Sequence, residues 1–127
     1  MRWLSLLLAV LLAGCSAPGG SAEVRGQGWT ATLEWSPQRP KALQPARLVL
    51  RIRDLSGRPL PVEALEVRAD MPEMSHDPDR LQFQRTAEGT YEATHNFSMD
   101  GLWRVQVTGT VPGGRLEASF ELTVGAP

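Results

Sequence analysis

The sequence predicts an all-β protein in which seven antiparallel strands form an immunoglobulin-like sandwich. Two observations support this fold class. Apolar and polar residues alternate with a period of two through most of the chain, and no stretch keeps a helical period for ten residues. Turn-forming pairs separate these runs, such as Ser56-Gly57 and Glu88-Gly89. Short alternating runs with frequent turns are typical of a two-sheet sandwich.

Each expected strand is an alternating run bounded by turn residues. The first carries Trp29, Ala31, Leu33 and Trp35 on one face. The chain has a single cysteine, so no intrachain disulfide is possible and apolar burial must supply most of the stability. We expect the strands at residues 28–36, 46–54, 64–70, 80–86, 90–97, 102–109 and 115–124.

The N-terminus has the pattern of an export signal. Arg2 precedes an apolar run over residues 4–12, which is too short to span a bilayer as a stable anchor. The run leads into Leu-Ala-Gly-Cys, which ends at Cys15 and resembles the lipobox of bacterial lipoproteins, where the chain is cut before a lipidated cysteine. The alternative is an ordinary secretory signal with a chance cysteine.

This resemblance sets the expected organisation of the chain and its location. Lipid on Cys15 would attach the protein to a membrane of the cell envelope, facing the periplasm or the extracellular side. We expect a signal peptide at residues 1–14, the lipidated cysteine and a flexible tether at 15–27, and a sandwich domain at 28–127.

Composition limits the partners and the number of domains. Without residues 1–14 the chain keeps 12 basic and 14 acidic side chains, a formal net charge of −2. No basic face is implied, so nucleic acid is not an expected partner. The remaining length is sufficient for one domain with one core.

Methionine and histidine are concentrated in two short segments. After the predicted signal, all three methionines and both histidines lie within residues 71–76 and 95–99. In a sandwich of consecutive antiparallel strands, the loops that hold these segments lie at the same end. Pro72 favours a β-turn that brings the first and fourth residues of its segment together. The candidate ligands for a metal ion are Met71, Met74, His76, Met99 and His95.

Thioether and imidazole groups form a soft ligand set. Such a set suits Cu(I), or Ag(I), better than Zn(II), Mg(II) or Ca(II). The alternative is that the methionines fill the open end of the sandwich, because methionine packs into irregular apolar gaps. In that case His95, which shares the strand face of Tyr91 and Phe97, points into the core. The acidic pair at Asp77 and Asp79 is expected to form a turn, since the other oxygen ligands of a calcium loop are missing.

At these residues the chain resembles the YtkA-like family and the related FixH-type periplasmic domains. Their signature is a Met-Pro-x-Met-x-His loop, a Gly-x-Tyr-x-Ala strand and a Met-x-Gly-x-Trp segment. The resemblance implies an envelope β-sandwich associated with copper handling or oxidase assembly. One departure is His95, where this family more usually carries an aliphatic residue. The matching residues are Met71, Pro72, Met74, His76, Gly89, Tyr91, Ala93, Met99, Gly101 and Trp103.

Two functions from different classes are consistent with this sequence. The first is a Cu(I)-binding module that stores the ion or delivers it to a copper-receiving protein. The second is an interaction module that docks on a membrane complex through an adaptable, methionine-rich end. The sequence contains no nucleophile elbow, no His-Glu-x-x-His motif and no phosphate-binding loop, so we do not expect an enzyme.

Overall fold

A computed structural model describes residues 19–74 and 77–125. This part of the chain is an all-β sandwich of two antiparallel sheets with no helix. It therefore contains no helical segment that could cross a membrane. Its strands are β1 (Gly20–Arg25), β2 (Thr30–Ser36), β3 (Pro45–Arg53), β4 (Glu63–Asp70), β5 (Asp79–Leu81), β6 (Gln84–Ala87), β7 (Thr90–Asn96), β8 (Gly101–Val111) and β9 (Gly114–Val124).

The strand order matches the expected sandwich in its central strands. One sheet has the order β1-β2-β3-β7-β6 and the other has the order β5-β4-β8-β9. Without β1 and β5, these are the ABED and CFG sheets of an immunoglobulin constant-type sandwich. The predicted alternation therefore corresponds to two sheets that are each buried on one face. Each of the seven expected runs overlaps at least one strand.

The prediction of seven strands is wrong for the described residues, which contain nine. The expected strand at 80–86 is two short strands, β5 and β6, which belong to different sheets. β5 pairs with β4 and β6 pairs with β7, so the chain crosses between the sheets at residues 82–83. A single alternating run does not reveal such a crossing, because both halves keep a period of two.

The second difference concerns the expected tether. β1 lies inside residues 15–27 and pairs along its whole length with β2. Ala22 and Val24 are half-buried against the core, while the alternate residues Ser21, Glu23 and Arg25 are exposed. The composition of this segment resembles that of a linker. Only the pairing with β2 places it in a sheet. The ordered sheet therefore begins at Gly20, and Cys15 lies outside the described residues.

The core fills the space between the two sheets. Its largest fully buried side chains are Trp103, Phe97 and Phe120, surrounded by leucine, isoleucine and valine from both sheets. No polar or charged residue is fully buried among the described residues. Apolar burial is thus the main source of stability, as expected for a sandwich without a disulfide.

The two ends of the sandwich are built differently. The methionine pole, as we call it, consists of the loops at 37–44, 71–74 and 97–100 together with Gly19 and Gly125, the first and last described residues. The hairpin pole consists of the loops at 26–29, 54–62, 88–89 and 112–113.

Candidate functional site

The two methionine-bearing segments lie at the same pole, as the topology predicts. Asp70, the last residue of β4, pairs with Arg104 near the start of β8. Met71 follows directly, and a Cβ added to Gly101 would stand 2.5 Å from the Met71 Cε atom. Met99 precedes Gly101 by two residues. Met71 and Met99 are therefore brought to neighbouring positions by the pairing of β4 with β8.

The 71–74 segment forms the expected turn. The Met74 amide donates a hydrogen bond of 3.0 Å to the Met71 carbonyl oxygen, which closes the turn around Pro72. Proline at the second position fixes the backbone angle that this turn requires. Met74 is thereby folded back toward Met71.

The three methionines differ sharply in exposure. Met71 is 6% exposed and belongs to the apolar core, whereas Met74 is 49% and Met99 39% exposed. For Met71, the packing alternative describes the observed position. Met74 and Met99 are exposed residues at the surface of the pole.

A buried aromatic residue positions the Met99 loop. The Trp103 indole Nε1–H donates a hydrogen bond of 3.0 Å to the Met99 carbonyl oxygen. Trp103 is fully buried and packs against Phe97, with ring centroids 5.2 Å apart. The Phe97 carbonyl in turn accepts a hydrogen bond of 2.7 Å from the Leu43 amide. The loops at 37–44 and 97–100 are therefore joined to each other and to the core.

His95 links the two sheets beneath this pole. Its Nε2 atom lies 3.2 Å from the Asp79 Oδ2 atom, and its side chain is 17% exposed. The ring meets Phe97 edge to face, with centroids 4.8 Å apart and an interplanar angle of 89°. An ionised carboxylate can only accept a hydrogen bond, so Nε2–H is the donor in this contact and Nδ1 is the nitrogen that remains for another partner. His95 thus occupies the partly buried position of the packing alternative.

His76 lies outside the described residues. Among the described residues, no group of three or more His, Cys, Asp or Glu side chains is arranged to hold a metal ion. Methionine sulfur, a soft donor, is not among those groups, and Met74 and Met99 carry it on exposed residues.

Sequence reasoning missed two residues of this pole. Asp70 Oδ1 is buried and has no hydrogen-bond partner among the described residues. Leu43 is 74% exposed and has a backbone φ of 65°. An acidic residue immediately before Met71 was a visible signal for the first. Nothing in the local sequence indicates the left-handed backbone of the second.

Similar folds occur in solved structures of low sequence identity. A DUF4426 family protein from Pseudomonas aeruginosa superposes with a TM-score of 0.62 at 15% identity, covering 81% of this chain and 96% of that chain. FetP from uropathogenic Escherichia coli F11 superposes with a TM-score of 0.53 at 11% identity, covering 90% of this chain and 100% of that one. These likenesses establish the fold alone.

A further likeness is to part of a larger protein. A DUF4785 family protein from Legionella pneumophila superposes with a TM-score of 0.59 at 8% identity, covering 77% of this chain and 28% of that chain. No curated protein sequence matches this chain significantly. The sequence model of the YtkA-like family matches residues 23–108, from β1 into β8, and includes the three loops of the methionine pole but neither Gly19 nor Gly125. The chain therefore belongs to the YtkA-like family.

Proposed function

We propose that this protein is a lipid-anchored, extracytoplasmic Cu(I)-binding module, and not an enzyme, that handles copper or delivers it to a protein partner. The observation that carries the proposal is the presence of two exposed thioethers, Met74 and Met99, on loops of the same pole. Met71 lies beneath them, and His76 follows in the same segment. A FixH-type role in envelope copper supply is the corresponding cellular function.

The chemistry of these side chains favours a soft monovalent ion. Thioether sulfur is a neutral, polarisable donor that prefers Cu(I) to the hard cations. It also resists the disulfide formation that would consume a free thiol outside the cytoplasm. The one cysteine, Cys15, is assigned to the lipid in this proposal.

The surroundings of the thioethers also favour a cation. Glu73 and Asp100 are exposed on the same loops as Met74 and Met99. Asp70 contributes a buried carboxylate oxygen that lacks a hydrogen bond among the described residues. A buried polar atom of this kind is uncommon, and a nearby positive charge would stabilise it.

The test is a competition titration of Cu(I) against a chromogenic chelator under reducing, anaerobic conditions. Residues 16–127 are used, since every described strand begins at or after Gly20. We expect the double variant Met74→Leu/Met99→Leu to bind Cu(I) at least about tenfold more weakly than the wild type, which corresponds to about 1.4 kcal/mol. Unchanged affinity in this variant would contradict the copper proposal.

Matched variants separate ligation from apolar contact. Methionine to leucine removes sulfur but keeps apolar surface, whereas Leu43→Ala removes apolar surface at the same pole and keeps every sulfur. Copper binding should survive Leu43→Ala. If a membrane-complex partner is lost in Leu43→Ala and retained in the methionine variants, the pole is an interaction module and not a copper site.

The buried methionine needs a stability control. Met71→Leu conserves volume and apolarity, so it should unfold at nearly the same denaturant concentration as the wild type. A loss of copper affinity in this variant, with stability unchanged, assigns the Met71 sulfur as a third ligand. Retained affinity restricts the site to Met74, Met99 and His76.

A further inference from the structure

Leu43 has an unusual combination of exposure and backbone conformation. It is 74% exposed, more than any other large apolar residue described, and its φ of 65° is a left-handed conformation that leucine rarely adopts. The hydrogen bond from its amide to the Phe97 carbonyl holds it there. The left-handed backbone costs free energy in the folded domain, and such strain is concentrated at functional positions.

The surface around Leu43 is apolar and locally basic. Three of the four exposed large apolar residues in the described chain, Leu43, Met74 and Met99, lie at the methionine pole. The loop at 37–44 also exposes Arg39 and Lys41 and contains no acidic residue. The acidic side chains of the pole lie on the neighbouring loops, so the basic character is confined to the loop that holds Leu43.

The polypeptide enters the domain at the methionine pole. Gly20 pairs with Trp35, and β1 then runs toward the hairpin pole, so the described chain begins on the methionine-pole side of the sheet. Cys15 stands five residues before Gly20. Even fully extended, that segment spans no more than about 18 Å.

This short connection favours one orientation of an anchored domain. Trp35 pairs with Leu48, so Gly20 stands level with Leu48 in the sheet. Three residues of strand, about 10 Å, separate that level from Pro45 at the methionine pole. Five residues, about 17 Å, separate it from Arg53, before the hairpin-pole loop adds its own thickness. To place the hairpin pole on the membrane, the connection would have to reverse direction and extend almost completely.

We propose that the methionine pole rests on the membrane surface, with Leu43 inserted at the level of the lipid headgroups and Arg39 and Lys41 beside the phosphates. Apolar side chains flanked by basic ones are the usual composition of an interfacial contact. The occupant of this surface is the lipid bilayer itself. The inference rests on the lipid anchor of the proposed function and does not require that copper be bound at Met74 and Met99, which belong to the same surface.

The test uses the full chain, processed in a bacterial host and reconstituted into vesicles of phosphatidylethanolamine and phosphatidylglycerol that contain brominated phospholipid. A bimane label is placed on Leu43→Cys or on Leu55→Cys, with Cys15 occupied by lipid. Leu55 is the matched control because it is 72% exposed at the hairpin pole. We expect loss of bimane fluorescence at position 43 and none at position 55.

Equal loss at the two positions, or a greater loss at position 55, would overturn the proposed orientation. Incorporation of labelled palmitate, compared with a Cys15→Ser variant, tests the anchor separately. A chain that incorporates no palmitate would overturn this inference at its premise and leave the copper titration unaffected.

A second variant tests whether Leu43 serves the fold instead. Leu43→Asn keeps a side chain that tolerates left-handed backbone and removes an exposed apolar group. We expect its melting temperature to equal or exceed that of the wild type. A clear fall in melting temperature would mean that Leu43 is a structural residue and would contradict the membrane assignment.

Discussion

The two poles of this sandwich use their residues for different purposes. At the hairpin pole, the Asp54 carboxylate accepts hydrogen bonds of 2.9, 2.7 and 2.9 Å from the Ser56 amide, the Ser56 hydroxyl and the Arg58 amide. At the methionine pole, three large apolar residues, Leu43, Met74 and Met99, are exposed, whereas among the described residues the hairpin pole exposes one, Leu55. The first arrangement satisfies the turn that it forms. At the methionine pole, the exposed apolar side chains have no packing partner that the domain itself supplies. We therefore place the function at this pole.

The largest expected difference between the poles concerns two glycines with positive φ. A Cβ at Gly89 would stand 2.6 Å from the Ile52 carbonyl oxygen, a backbone atom that cannot move alone. At Gly101 the obstacle is the Met71 methyl group, the flexible end of a side chain. We expect Gly89→Ala to lower the free energy of unfolding by about 3 kcal/mol and Gly101→Ala by about 1–2 kcal/mol, measured by urea denaturation.

The control for this pair is Gly113→Ala. Gly113 has a φ of 86° with nothing within 4 Å of an added Cβ, so this variant reports the backbone cost alone. If Gly101→Ala proves more destabilising than Gly89→Ala, the methionine pole is the more rigid of the two and the comparison is reversed.

Trp103→Phe should loosen the methionine pole specifically. The substitution removes the indole donor to the Met99 carbonyl and leaves a small cavity, at an expected cost of about 2 kcal/mol. Amide hydrogen exchange should accelerate in the loop at 97–100. Trp29→Phe makes the same chemical change at the hairpin pole, where Trp29 is buried, and should leave that exchange unchanged. Equal acceleration in the two variants would argue against a local anchor.

The contact between His95 and Asp79 should contribute less. His95→Ala removes the hydrogen bond to Asp79 in the other sheet and the edge contact with Phe97 in its own segment, with an expected loss of about 1–2 kcal/mol in thermal or urea unfolding. Asp79→Asn retains an acceptor for Nε2–H and should cost less than His95→Ala. Copper affinity should remain unchanged in Asp79→Asn, and a large decrease there would assign His95 to the ion.

The smallest effect is a pH dependence at the hairpin pole. The hydrogen bonds from the Ser56 hydroxyl and the Arg58 amide hold the pKa of Asp54 below its ordinary value of 3.8. Its stabilising contribution is therefore complete above 3.8, the value that the unfolded chain keeps, and is lost as the pH falls through the lower pKa of the folded state. Melting temperatures of the wild type and Asp54→Asn should converge on acidification.

Ser56→Ala is the matched variant for that measurement. It removes the hydroxyl donor, so above pH 3.8 its melting temperature should lie closer to that of Asp54→Asn than the wild-type value does. A difference between the wild type and Asp54→Asn that stays constant from neutral to acidic pH would mean that the carboxylate charge does not stabilise this turn.

The local pattern of the sequence was sufficient to predict the sandwich and to predict that the two methionine segments lie at the same pole. A period of two marks strands wherever one face is buried, and consecutive antiparallel strands place alternate loops at the same end. The turn around Pro72 follows from the fixed backbone angle of proline. For these features the cause lies within a few neighbouring residues.

Other features depend on partners distant in the chain. β1 is a strand because β2 supplies its hydrogen bonds. β5 and β6 lie in different sheets because β5 pairs with β4 and β6 pairs with β7. Likewise, Met71 is buried and Met74 exposed although both are methionines of one turn, and the Met71 methyl group lies next to Gly101 of β8. The sequence alone identifies the candidate ligands, but exposure is decided by the packing of the sheets, because burial is a property of the neighbours in space.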